Sequence, residues 1–109
     1  MDINYLKECL KKRIELKSLY PALTSRHNFF DDHFNKLERG IKLSNDHKLL
    51  SFKERKELYL LGKEFIDIRK ELVNFHNLRF STPFGNSIYE CEHELYSVAL
   101  DVFQTYGSK

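Results

Sequence analysis

Glycine and proline are scarce, four and two in 109 residues, too few for the succession of tight turns that a β-sandwich or barrel needs. Tryptophan is absent, and the aromatic character rests on nine Phe and six Tyr. Two cysteines, Cys9 and Cys91, do not make a disulfide framework. They are expected to be buried free thiols in a reducing, cytoplasmic setting, near opposite ends of an up-down bundle. No apolar run approaches the roughly 20 residues that span a bilayer, and the chain opens on a charged amphipathic pattern rather than a leader. Net charge is +2, too small to indicate nucleic acid or membrane as a partner.

What the chain has is helical periodicity. Leu58, Leu61, Phe65, Ile68, Leu72 and Phe75 alternate steps of three and four, the spacing of a seam that buries itself against another helix. Ser51-Phe52-Lys53-Glu54 matches a capping box at its start. Ile3, Leu6, Leu10 and Ile14 predict the inner stripe of a first helix capped by Asp2 and ended by Pro21. Phe30, Phe34 and Leu37 predict a second, opened by Thr24 or Ser25 and closed by Gly40. Ile88, Cys91, Leu95, Val98 and Val102 predict the last, opened by a Ser87–Glu90 capping box or, equally lawfully, by Thr82 with Pro83 at the first helical position. The expected fold is a single domain over residues 1–109, an all-α antiparallel four-helix bundle with helices at about 3–20, 26–39, 52–78 and 87–106. The third helix is the longest and must overhang, bend at Gly62 or support a partner.

Three ionisable residues intrude on apolar arcs. At about 100° per residue, Arg69 and His76 fall between two apolar stripes of the third helix, and Glu92 falls between two of the fourth. In an antiparallel hairpin residue 92 lies level with about residue 75, which puts Glu92 beside His76 with Arg69 about two turns away. A charge in an apolar arc is costly unless paired, so a buried polar cluster of Arg69, His76 and Glu92 is expected, serving register or a subunit interface.

Arg69 and His76, six residues apart in an Ile-Arg…Val-Asn-Phe-His setting, also resemble the Arg-x(4–6)-His signature of the HEPN ribonuclease family. Lys70 stands where that family usually has a polar residue such as Asn. The resemblance implies an RNA-cleaving or RNA-binding helical domain. His76 would act as general base on a ribose 2′-hydroxyl and Arg69 on the phosphate, both paired across a dimer.

Other constellations read as surface or packing. Glu90-x-x-His93 is half of a di-iron motif without its other half, and His27, His33, Asp31 and Asp32 fit no standard metal spacing, so neither metal nor cofactor is expected. Lys11-Lys12-Arg13 and Lys53-Arg55-Lys56 read as solvated basic faces. The leading functional expectation is a non-catalytic, cytoplasmic protein-binding module, a neutraliser or adaptor of the toxin-immunity or antitoxin type. Its partner would be another, basic protein met by Glu90, Glu94 and Asp101 of the acidic fourth helix. A homodimer stays open, and neither nucleic acid nor membrane is the expected partner.

Overall fold

The computed structural model describes residues 3–25, 29–79 and 83–108, excepting the side chains of Leu23 and of residues 76–79 and 83–86. Four long helices pack as an antiparallel bundle: α1 (Ile3–Leu19), α3 (Phe29–Asn45), α4 (Phe52–Arg79) and α5 (Pro83–Tyr106). A single helical turn, α2 (Pro21–Thr24), and a 3₁₀ turn at His47–Leu49 join them. Asp2, His27 and the Phe80–Thr82 connection fall outside the described residues. No helix is long and apolar enough to cross a membrane, among the described residues.

The helices alternate up and down. Lys17 meets Asp31 while Lys7 meets Asn45, so α1 and α3 run antiparallel. Arg39–Glu57 and Lys36–Glu64 give the same sense to α3 and α4. Arg69–Ser97 at mid-hairpin and Ser108–Arg55 at its open end fix the antiparallel register of α4 on α5. α5 therefore runs parallel to α3, which it touches across the diagonal through Phe29–Tyr96, while His47 of the 3₁₀ turn stacks on Tyr106.

Local chemistry accounts for most boundaries. Tyr20 precedes Pro21, whose ring disfavours helical backbone at the residue before it, so α1 stops at Leu19. Ser51 and Glu54 cap α4 reciprocally, with Ser51 N donating to Glu54 Oε1 at 3.0 Å and Glu54 N donating to Ser51 Oγ at 3.2 Å. α5 begins at Pro83, whose locked φ suits the first helical position. Ser87 and Glu90 thus lie inside the helix and form no box there.

Gly40 does not close the second long helix, as its type suggested. α3 continues to Asn45 because Gly40 is a contact point rather than a cap: a Cβ there would overlap the ring of Phe103 from α5. Gly62 plays the same part against Gln104 and the Leu100 carbonyl, and Gly107 lies against the backbone of Tyr59. α4 accordingly does not overhang as a bare rod, since α5 and the 107–108 tail lie along it as far as Arg55. Its 28 residues rise about 42 Å, close to the molecule's longest dimension of 44 Å.

The core takes Leu58, Phe65, Ile68 and Leu72 from α4 and Leu95, Val98, Val102 and Phe103 from α5. Leu6, Leu37 and Leu43 close it from α1 and α3. On α1 the expected stripe is rotated. Ile14 is 41% exposed, while Cys9 and Arg13 join Leu6 inside.

Gly40→Ala should destabilise the protein despite alanine's higher helix propensity, worth about 1 kcal/mol in the other direction. Overpacking against Phe103 costs about 1–3 kcal/mol, and urea denaturation of the variant reads the sign.

Candidate functional site

The bundle's buried charge is a pair between α1 and α5. Arg13 Nε lies 3.6 Å from Glu92 Oε2, and the two side chains are 1% and 0% exposed. The guanidinium also stacks over the Phe30 ring, 4.4 Å from its centroid, an attraction that strengthens where water is excluded. Tyr96 on the next turn of α5 donates its hydroxyl to Glu92 Oε1 at 3.3 Å. Burial pushes the Glu92 carboxyl up to about 7, outweighing the pull of Arg13 and the Tyr96 hydrogen bond. It pushes the Tyr96 phenol up as well, with the Glu92 charge adding to the effect.

Arg13 therefore does not belong to a solvated Lys11-Lys12-Arg13 face. It sits seven residues after Leu6 and four after Cys9, on the inner line of α1, while Lys11 and Lys12 point to solvent. Its apolar stem packs in the core and its planar head finds both a carboxylate and an aromatic face. Glu92 is buried between the two stripes of α5, and the charge it meets is Arg13. Arg69 lies elsewhere, half-buried, with Nη1 donating to Ser97 Oγ at 3.2 Å. His76 belongs to α4, but its side chain is outside the described residues, as is the contact expected between His76 and Glu92.

The acidic residues of α5 form a different surface. Glu90, Glu94 and Asp101 are all exposed, while Ile88, Glu92, Leu95, Tyr96, Val98 and Ala99 are buried among the other helices. Tyr5 of α1, 40% exposed, donates its hydroxyl to Glu94 Oε1 at 2.8 Å. That hydrogen bond pushes the Tyr5 phenol up to about 12. Below it, Tyr5 also lies against Cys9.

The thiols share the α1–α5 interface rather than occupying opposite ends, since α1 and α5 are antiparallel and Cys9 and Cys91 sense each other's charge. Both are free. Burial raises Cys9 and pushes Cys91 up to about 11, so both stay protonated at neutral pH and are poor nucleophiles. His33 packs edge-on against Phe29 at 4.7 Å, and burial lowers its affinity for a proton. His93 lies beside Tyr89. Among the described residues no three His, Cys, Asp or Glu side chains converge as a metal site needs.

Comparison with protein-family models, curated proteins and solved structures finds no match to this chain. Its function is therefore read from its own side chains.

Two expectations follow from the buried pair. Glu92 takes up a proton on folding, since its folded value of about 7 exceeds the ordinary 4.5. Its contribution to stability is therefore present in full below about 4.5 and lost as the pH rises through about 7. The loss is about 3 kcal/mol at 1.4 kcal/mol per unit. Urea denaturation from pH 4.5 to 8 should show this slope in the wild type relative to Glu92→Gln, which retains an acceptor for Tyr96. Arg13→Met should be mild at pH 5, where Glu92 is neutral, and cost more at pH 8, because without the guanidinium the buried carboxyl titrates higher still and must hold a proton that the wild type has released. Equal costs at both pH values would show that Glu92 does not titrate in this range.

Proposed function

We propose that this protein is a non-catalytic binding module that acts through protein–protein contact, a small cytoplasmic neutraliser or adaptor of the toxin-immunity or antitoxin type. The observation that carries the reading is the outer face of α5. Glu90, Glu94 and Asp101 project together from a helix whose remaining sides are locked into the bundle. The helix that carries these carboxylates is fixed in the bundle, and the row steers a basic partner by charge complementarity.

Tyr5 supports the same reading. Its hydroxyl is fixed by Glu94, so its ring is a half-exposed aromatic with few conformations left to lose. Aromatic anchors flanked by charge are typical of residues that dominate binding energy. The partner is thus expected to present lysine or arginine to the acidic row and an apolar cleft to the Tyr5 ring.

Capture of partners from the native host on the immobilised protein, followed by mass spectrometry, tests this. The expected result is one stoichiometric basic protein, lost from the variant Glu90→Lys/Glu94→Lys/Asp101→Lys. Association should slow by about 10-fold or more, with the weakened steering visible as reduced salt dependence. All three positions are exposed, so the variant's stability should stay within about 1 kcal/mol per site of the wild type. RNA in place of protein on the column, or a partner held equally by the triple variant, would overturn the reading.

A further inference from the structure

A second surface lies at the end of the bundle where α4 begins. Leu49 and Phe52 are the most exposed large apolar side chains among the described residues, at 85% and 74%. They are three residues apart in the chain, so their Cα atoms lie within about 11 Å of each other. Because α4 runs the length of the molecule, its first turn is one pole of it. Phe52 projects from that pole, and Leu49 stands on the rim of a shallow concavity that it shares with Lys42, Asp46 and Glu54.

The charge around them is lopsided. Lys48, Lys53 and Lys56 are exposed beside the two apolar residues. The nearby acids are largely engaged: Glu54 accepts the Ser51 amide, and Glu57 is held toward α3 by Arg39 at 2.8 Å. Asp46 is the remaining exposed carboxylate of this turn. The start of α4 adds the positive end of its backbone dipole. Farther along the helix Leu60 and Lys63 share their face with Glu64 and Asp67, so the cationic excess is confined to the pole.

We propose that this pole is a docking surface for an anionic lipid bilayer. Phe52 and Leu49 enter the headgroup layer while Lys48, Lys53 and Lys56 rest on its phosphates. Protruding apolar side chains demand preformed pockets of a protein partner but none of a bilayer, whose headgroups part around them. Lysines supply point charges suited to a diffuse negative surface, where neither fixed geometry nor paired acceptors are required. The absence of a spanning helix among the described residues does not bear on such binding, which lies in the interface plane. This surface is distinct from the acidic row of α5, and each can fail without the other.

Co-sedimentation of the full chain with vesicles tests it. The vesicles are phosphatidylcholine alone, or phosphatidylcholine with about a third phosphatidylserine. Binding is expected on the anionic vesicles, about tenfold or more weaker on the neutral ones, and reduced about tenfold or more in Leu49→Ser/Phe52→Ser and in Lys53→Glu/Lys56→Glu. The chain has no tryptophan, so Phe52→Trp is a clean reporter whose emission should shift to the blue when anionic vesicles are added. Thermal denaturation checks that these exposed substitutions leave the fold intact. No binding to anionic vesicles overturns the proposal, as does full retention by Leu49→Ser/Phe52→Ser or an unshifted indole emission from bound Phe52→Trp protein. Binding of polyglutamate but not of vesicles also overturns it, and gives the pole to an acidic protein segment.

Discussion

The pairing of α4 with α5 is the constraint on which the rest of the molecule depends. The two helices lie antiparallel along almost their whole length, and glycine stands at two of the points where their chains come close. Gly62 admits Gln104 and the Leu100 carbonyl, and Gly107 lies on the backbone of Tyr59. With that distance set, Phe65 meets both Tyr96 and Phe103, and the centre of the core fills with aromatic rings in tilted and edge-on contact. α1 and α3 then pack onto a surface that already exists. α5, pressed on three sides, leaves to water among its described side chains a narrow strip that runs from Ser87 through Glu90, Glu94 and Asp101 to Thr105.

Against this dry background the Arg13–Glu92 pair is conspicuous. Replacing such a pair with matched apolar residues is often neutral or stabilising, so its presence is weak evidence for a contribution to stability. What it does supply is directionality. An apolar stripe on α1 can slide or rotate by a turn at modest cost, whereas a guanidinium that must face both Glu92 and the Phe30 ring accepts one position. The rotation of α1 that brings Cys9 and Arg13 inward and leaves Ile14 at the rim follows from that requirement.

How much of this was legible beforehand depended on whether the signal was local. The α4 seam and its Ser51–Glu54 cap are properties of one helix, and both were readable from spacing. The α4–α5 register followed from helix lengths and the turn near Pro83. Gly40 misled because a glycine's role is decided by what approaches it, and Phe103 is 63 positions away in the chain. Arg13 misled for a related reason. Its charge and its neighbours Lys11 and Lys12 pointed outward, while its spacing from Leu6 and Cys9 pointed inward, and Glu92 decided between them. The clue was the shared apolar arc: Arg13 and Glu92 are opposite charges, each on the inner line of its own helix.

The contact of Gly40 with Phe103 draws α3 and α5 together across one diagonal of the bundle, while α1 and α4 barely meet across the other. The cross-section is a lozenge, not a square, and α1 occupies one of its acute corners. α1 and α4 therefore stand farthest apart, and each packs chiefly on α3 and α5. α1 is held to α5 by the Arg13–Glu92 pair and the Tyr5–Glu94 hydrogen bond, and to α3 by Lys17–Asp31 and Lys7–Asn45. Without α1, Leu6, Cys9 and the Arg13–Glu92 pair would all meet water, so this corner helix is a wall of the core and not a cover laid over it.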